Sequence, residues 1–276
     1  MVSAAKAGDR VVRALTADAS FRILVAVTTE TVREAAATQS IDELAASELG
    51  ELMTGAILLR EATNPKRRVQ VIMTGGARPT LVADTQPDGS NRGIVRPAES
   101  DGPSSDARVR VSYTLPNGAL HQGVVAVPND GGISGALMHY MQASEQVVAT
   151  LAVSVGPTLA GGYLVQILPG ADRGSLEVMT ERLTAMQAGG EPFGGAASAD
   201  ELLERLAGEG GYQRLSDAEL RFGCTCSEER ILMGLRSLGR DHLDEMLEAA
   251  EDLDIRCDAC GRRYAVTVDD LRAAFG

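Results

Sequence analysis

The chain has 276 residues, which is enough for one large domain and one small domain. Hydrophobic residues make up 44% of it, an ordinary share for a globular protein, and aromatic residues only 3%. The formal net charge of -12 repels phosphate backbones, so nucleic-acid binding requires a local basic patch. The only compact basic run, Lys66-Arg67-Arg68, is interpreted as a solvated turn, and no nucleic-acid partner is expected.

The first twenty residues contain no apolar run long enough for a signal peptide, and no other stretch approaches the roughly 20 apolar residues of a membrane helix. We therefore expect a cytoplasmic protein with no membrane partner. Thiols normally stay reduced in that compartment. The four cysteines of the chain consequently indicate metal or redox chemistry rather than structural disulfides.

The first 188 residues mix strand and helix patterns and predict one α+β domain. Ser40 is the expected N-cap of the second helix, and the Pro-, Gly-, Ser- and Asp-rich region 86–106 is expected to be a loop. An Asn117-Gly118 pair between alternating segments predicts a hairpin. The predicted elements are two strands within 9–28, helices near 30–38 and 41–62, a strand near 69–73, hairpin strands at 107–115 and 119–127, a helix near 133–143, strands near 146–155 and 162–168, and a helix near 172–187.

The composition changes at residue 189. Residues 189–223 contain eight glycines, and seven acidic against three basic residues. A short helix near 198–207, capped by Ser198, has only Leu202, Leu203 and Leu206 as a substantial apolar side. A lone helix with so small an apolar face is marginal in water. The segment is thus predicted to be a linker with weakly held structure, and an ordinary flexible linker is the alternative.

All four cysteines lie near the C-terminus, in Cys224-Thr225-Cys226 and Cys257-Asp258-Ala259-Cys260, with thirty residues between the pairs. Zinc prefers four thiolates in a tetrahedron, and Gly261 allows a tight turn beneath a metal. We predict one Zn²⁺ held by all four cysteines in a small domain of residues 224–276, with two helices in 227–253 and a strand at 262–268. A disulfide-only thiol switch and inert cysteines are the alternatives.

The three histidines are not expected to be zinc ligands. His242 lies in a helical run without a partner at ligand spacing, and His121 and His139 are isolated in the sequence.

Chemistry beyond metal binding is also expected of these cysteines. Oxidants attack thiolates, and zinc keeps the sulfurs in that form. A disulfide within Cys224-Thr225-Cys226 would close a very small ring, and such strain suits a reversible switch. Zinc contributes about 10–16 kcal/mol to small metallo-domains. Oxidation is therefore predicted to release zinc, unfold the small domain locally and expose whatever surface the C-terminal region had covered.

The chain resembles the heat shock protein 33 family of redox-regulated chaperones. The specific part of the resemblance is the two halves of the cysteine site, residues 223–230 and 254–261, with Tyr264 following. Residues 122–125, 140–146 and 160–171 are also similar to the family and occur in its order. The resemblance therefore runs through most of the chain.

This resemblance implies an ATP-independent holdase that is largely inactive while reduced and zinc-bound. Oxidation would join Cys224 to Cys226 and Cys257 to Cys260, release zinc, unfold the linker and expose a surface for unfolding client proteins. Activated members often form homodimers. The implied parts are an α+β chaperone core at 1–188, a metastable linker at 189–223 and a zinc-binding redox switch at 224–276. No catalytic residues are implied, and the protein is not expected to be an enzyme.

Two other function classes compete with this one. A thiol-disulfide oxidoreductase requires its Cys-x-x-Cys at a helix N-terminus in a βαβ fold, and turnover in an insulin-reduction assay would support it. A zinc-ribbon adaptor or nucleic-acid module is disfavoured by the twelve acidic and seven basic residues of 224–276. The sequence contains neither a Gly-x-x-x-x-Gly-Lys phosphate loop nor a Gly-x-Ser-x-Gly nucleophile turn.

Overall fold

The computed structural model describes residues 8–75, 78–98, 107–115, 117–127, 131–188, 192–249 and 251–275. The chain divides into two compact units, residues 1–222 and 223–276. Antiparallel sheets and separate helices confirm the predicted α+β class. Within the described ranges, none of the helices combines the length and the apolar character needed to span a membrane.

Two sheets form the framework of the N-terminal unit. A five-stranded antiparallel sheet has the order β10-β1-β2-β9-β8, formed by β1 (Arg10–Thr16), β2 (Phe21–Val27), β8 (Ala149–Val155), β9 (Ala160–Ile167) and β10 (Tyr212–Glu219). A six-stranded sheet has the order β11-β5-β4-β3-β6-β7, formed by β3 (Val69–Thr74), β4 (Thr80–Thr85), β5 (Ser90–Arg96), β6 (Arg108–Thr114), β7 (Leu120–Ala126) and β11 (Arg221–Phe222). Among the described strands, only the short β11 runs parallel to its neighbour.

A long helix, α2 (Glu43–Thr63), lies between the two sheets and contacts strands of both. Fourteen of its 21 residues are buried, as expected of a core helix, and these include the charged pair Arg60 and Glu61. The Asp42 carboxylate caps it by accepting a hydrogen bond from the amide of Ala45 at 2.8 Å. The predicted N-cap at Ser40 is therefore wrong, because the helix begins two residues later than that cap requires. Helices α1 (Thr29–Ala37) and α3 (Gly132–Ala143) pack beside α2.

The five-stranded sheet is buried on both faces. Leu24 and Ala26 on β2 belong to the core around α2, whereas Ile23 and Val25 belong to a second core on the other face. A strand buried on both faces is apolar along its length, which explains the continuous apolar run in β2. The second core is closed by α4 (Arg173–Ala188), a 3₁₀ turn at 192–195 and α5 (Ala199–Ala207).

The loop predicted at 86–106 is wrong for residues 90–96, which form β5 (residues 99–106 lie outside the described ranges). Gly93 and Arg92 of β5 sit opposite Ala83 and Asp84 of β4, and neither strand was predicted. A buried glycine and two arginines hide the alternation by which a half-buried strand is detected. Strand β10 was also missed, because it is largely exposed and depends on pairing with β1.

The C-terminal unit contains α6 (Glu228–Arg236), α7 (Arg240–Ala249), β12 (Leu253–Arg256), β13 (Arg263–Val266) and α8 (Val268–Phe275). The two helices and the strand predicted here are present, while β12 and α8 were not predicted. β12 and β13 form an antiparallel hairpin. Among its described residues, only four apolar side chains are buried: Leu243, Ala259, Val266 and Leu271. The unit therefore has a very small hydrophobic core.

Candidate metal centre

The four cysteines come from two loops of the C-terminal unit. Cys224 and Cys226 lie between β11 and α6, and Cys257 and Cys260 lie in the turn that joins β12 to β13. The backbone of this turn is closed by hydrogen bonds from Gly261 N to Cys257 O and from Cys257 N to Arg262 O, both 2.8 Å long. Gly261 has a φ of 71°, a left-handed conformation that a residue without a Cβ adopts at little cost.

The four Sγ atoms lie within 4.8 Å of one another. The Cys224–Cys257 sulfur distance is 3.8 Å and the Cys226–Cys260 sulfur distance is 3.4 Å. A tetrahedral zinc site with Zn–S bonds of about 2.3 Å has sulfur–sulfur edges of about 3.8 Å. These two distances are close to such an edge, and thiolates are donors that suit zinc. The structure brings together all four cysteines selected from the sequence.

Burial makes two of these thiols poor acids in the absence of a cation. It raises the pKa of Cys260 to about 12 and also raises the pKa of Cys257. Four thiolates at this spacing repel one another, and a divalent cation removes that repulsion because a thiol that coordinates it is deprotonated. The raised pKa values of Cys257 and Cys260 thus favour neutral thiols at these two positions unless a metal ion is bound.

Two side chains outside the cysteine motifs hold the centre. The Tyr264 hydroxyl donates a hydrogen bond to Cys226 Sγ at 3.0 Å, and this bond raises the pKa of the tyrosine. The Arg230 guanidinium donates to the Thr225 carbonyl at 2.9 Å, which fixes the loop between Cys224 and Cys226. Neither contact was predicted from the sequence, although Arg230 and Tyr264 both belong to the segments that carry the family resemblance.

No histidine joins the cysteine cluster within the described part of the chain. His121 stacks instead on Tyr113, with ring centroids 6.3 Å apart.

Residues 192–222 immediately precede the cysteines and are called here the cover segment. They lie against the five-stranded sheet up to β10, and the last two residues form β11 at the edge of the six-stranded sheet. Leu202, Leu203 and Leu206 of α5 are 0% exposed and belong to the second core. The same core contains the sheet residues Val12, Ala14, Ile23, Val25, Tyr163 and Val165. After α5 the chain forms β10, which pairs with β1 along its whole length. The cover segment therefore hides one face and one edge of the sheet.

The cover segment is held by scattered polar contacts as well as by its leucines. Ser198 caps α5 as predicted, accepting a hydrogen bond from the Glu201 amide. Arg182 of α4 donates to two carbonyls at the other end of α5, over 2.7 and 2.9 Å. Asp200 forms an ion pair with Arg214 at the surface, where such pairs contribute about 1 kcal/mol or less.

One residue of the cover segment has an unfavourable backbone conformation. Phe193 has a φ of 57°, and the left-handed region costs about 1–2 kcal/mol for a residue other than glycine. Its ring is buried and packs edge-on against Tyr163, with centroids 6.1 Å apart. Burial of the Phe193 ring therefore stabilises the segment, and this gain offsets the unfavourable backbone conformation of the same residue.

A sequence profile described as "Hsp33 protein" matches residues 9–267. The chain belongs to the Hsp33 family. The match includes the N-terminal unit, the cover segment and all four cysteines, so it does not rest on the metal motif alone.

Several curated relatives of this Hsp33 chain are named "33 kDa chaperonin". The protein from Synechocystis sp. is 30% identical, over 97% of this chain and 96% of the relative. The protein from Acaryochloris marina is 29% identical over 95% of each. The protein from Listeria welshimeri is 27% identical, over 97% of this chain and 98% of the relative. The names and the family support a chaperone rather than an enzyme.

A crystal structure of the 33 kDa chaperonin (heat shock protein 33 homolog) from Thermotoga maritima has the same fold. It matches with a TM-score of 0.79 at 23% identity, over 96% of this chain and 97% of that protein. The N-terminal sheets and the C-terminal unit thus form an Hsp33 fold.

Proposed function

We propose that this protein is a redox-regulated, ATP-independent holdase that binds unfolding proteins after its cysteines are oxidised and zinc is released. The observation that carries the proposal is a cluster of four cysteine sulfurs within 4.8 Å of one another, which begins two residues after a segment that covers an apolar sheet face. In this proposal residues 1–188 are the chaperone core, 189–223 the metastable linker and 224–276 the redox switch.

Cys224, Cys226, Cys257 and Cys260 would hold one Zn²⁺ in the reduced protein. Bound zinc supplies a positive charge that keeps all four sulfurs as thiolates and a cross-link between the two cysteine loops. The small apolar core of the C-terminal unit supports a need for this cross-link. Units of this size rarely stay folded without a metal, disulfides or a larger core.

Oxidation converts each pair of thiolates into a disulfide. For each S–S bond that forms, two electrons pass to an oxidant such as a peroxide, whose O–O bond breaks and which leaves as water or an alcohol after taking up protons. The family resemblance implies the pairs Cys224–Cys226 and Cys257–Cys260. The two short sulfur contacts instead join the two loops, Cys224 to Cys257 and Cys226 to Cys260. Non-reducing peptide mapping of the oxidised protein distinguishes the two pairings.

Loss of the thiolates would unfold the C-terminal unit and remove the folded anchor at the end of the cover segment. The strain at Phe193 and the weak surface contacts of Asp200 support release of that segment at this point. Its departure would expose the apolar side chains of the second core and the edge of β1. Unfolding proteins offer complementary apolar segments and strands, and the same edge suits a homodimer of activated chains. We place this activity in the cytoplasm, where unoxidised thiols persist.

The test is suppression of aggregation of a thermally unfolding client, with zinc release read by a chelator dye. The reduced, zinc-loaded protein is expected to be inactive, and suppression should appear after oxidation in step with zinc release. A variant with Cys226→Ser and Cys260→Ser lacks two of the four proposed zinc ligands and cannot form either implied disulfide. It should therefore bind zinc poorly and suppress aggregation without an oxidant. Zinc release from the unaltered protein without suppression of aggregation would refute the holdase proposal. Suppression by the reduced, zinc-loaded protein would refute its control by the cysteines.

A further inference from the structure

The outward face of the six-stranded sheet carries a concentration of arginine. Side chains of a strand alternate between its two faces, and the inward set, such as Val71 and Val111, is fully buried around α2. The charged residues of the other set are Arg92, Arg96, Arg108, Arg110 and Asp84, and Arg68 joins them by bonding to Asp84. We call this surface the arginine face. Its five arginines and one aspartate give a formal charge of +4 in a chain whose net charge is -12.

Two of these arginines have charges that the described structure does not neutralise. Asp84 is buried and is shared by Arg68 and Arg92, with N–O distances of 2.7 and 2.9 Å. Arg108 and Arg110 are exposed, and neither forms an ion pair with any residue described. They lie two residues apart on β6, so their Cα atoms are separated by about 6.7 Å. The strand therefore presents two adjacent guanidinium groups to solvent.

Aliphatic side chains lie in line with these charges. The strand register places Arg110 between Ile72 of β3 and Val124 of β7. The same register extends the row beyond Ile72, because Val82 of β4 lies opposite Ile72 and Ile94 of β5 lies opposite Val82. Val124 is 53% exposed, Ile72 and Ile94 are partly exposed, and Val82 is buried. The arginine face thus combines a row of aliphatic side chains with flanking positive charge.

We propose that the arginine face docks an acidic, amphipathic segment of a partner protein. Carboxylates of the segment would bind Arg108 and Arg110, since a guanidinium accepts a carboxylate in a planar, two-bond arrangement. Aliphatic side chains of the same segment would pack on the row that includes Ile72 and Val124. Charge complementarity identifies the acidic character of the partner, and the aliphatic row identifies it as a polypeptide.

A nucleic acid fits this face less well. Single-stranded nucleic acids are bound on sheets largely through stacking of bases on aromatic side chains. No aromatic side chain points outward from the described strands of this sheet, since the ring of Tyr113 belongs to the inward core. The phosphate charges would have arginine partners, whereas the bases would have none.

This docking is separate from the proposed holdase activity. Within the N-terminal unit, α5 of the cover segment packs on the face of the five-stranded sheet that points away from α2, and the arginine face is the face of the six-stranded sheet that points away from α2. Only β11, the end of the cover segment, reaches the six-stranded sheet within the described residues, where it pairs with the edge of β5. Binding at the arginine face therefore does not require the cover segment to leave. The reduced and the oxidised protein are expected to bind the acidic segment with the same affinity.

The experiment uses the full chain and a fluorescent peptide of about twelve residues, long enough to cross the sheet, in which Glu and Leu are arranged amphipathically. Fluorescence anisotropy measures its Kd, and a peptide with Lys in place of Glu is the comparison. The double variant Arg108→Glu/Arg110→Glu should weaken binding by about tenfold or more. The control Arg33→Glu/Arg173→Glu makes the same charge change at two exposed side chains on α1 and α4 and should bind normally. Raising NaCl from about 50 to about 500 mM should weaken binding as well, because the Debye length shortens.

A milder variant, Arg108→Gln/Arg110→Gln, keeps the test valid if the charge reversal disturbs the sheet, and it should give an intermediate loss. Equal loss in the Arg33/Arg173 control would overturn the proposal, because net charge alone would then explain binding. Binding only after oxidation would also overturn it and would assign the peptide to the surface beneath the cover segment. Tighter binding of an oligouridylate of equal charge, lost in the Arg108/Arg110 variants, would replace the proposal with a nucleic-acid site.

Discussion

Replacement of Leu203 by alanine should open the cover segment without altering the cysteine centre. Leu203 is 0% exposed in the second core, between α5 and the five-stranded sheet. A buried Leu→Ala change costs about 2–5 kcal/mol, from lost transfer free energy and from the cavity that remains. If that cost falls on the closed form of the cover segment, its opening equilibrium shifts by about 30-fold to several thousand-fold, at 1.4 kcal/mol per factor of ten.

Three measurements on the reduced, zinc-loaded variant test this reasoning. Hydrogen exchange should accelerate at the amides of α5 and β10, zinc content should stay unchanged, and the variant should suppress client aggregation without an oxidant. Leu59→Ala is the matched control: Leu59 is 0% exposed in the core around α2, so this variant should lower Tm without activating the protein. Faster exchange in the cover segment with no gain of holdase activity would refute the idea that the segment hides the client surface.

Three further predictions concern the cysteine centre and one partly buried acid. Tyr264→Phe removes the hydrogen bond to Cys226 Sγ and should speed peroxide-driven zinc release by about three- to tenfold, measured with a chelator dye; an unchanged rate would contradict a tuning role. Raised pKa values keep Cys257 and Cys260 protonated near pH 7 without metal, so zinc binding should release at least these two protons. Calorimetry in buffers of different ionisation enthalpy measures the number of protons released, and release of fewer than two would contradict the ligand assignment. Burial raises the pKa of Glu51 to about 7, so ionisation of this carboxyl destabilises the fold as the pH rises above 4.5, the pKa in the unfolded chain. Glu51→Gln should therefore raise Tm at pH 8, and this gain in Tm should shrink as the pH falls toward 4.5.

The metal centre could be predicted from the sequence because its determinants are local. Cys257, Cys260 and Gly261 lie within one turn, where spacing and a left-handed glycine decide the geometry. The long core helix was likewise predictable, because its apolar residues recur at helical intervals. The predicted N-cap at Ser40 failed because an equally good cap, Asp42, lies two residues further along.

Only the tertiary structure decided the features that depend on register between distant strands. β10 is largely polar and becomes a strand because β1, about two hundred residues earlier, offers it an unpaired edge. Arg92 and Arg110 read as scattered charges in the sequence, yet the pairing of β5, β4, β3 and β6 sets them on one face. The sequence by itself determined which sulfur atoms can bind a metal, because the spacing of cysteines within short segments is enough to identify them. Which surfaces are covered or charged was decided by contacts between residues far apart in the chain, and no local pattern encodes those contacts.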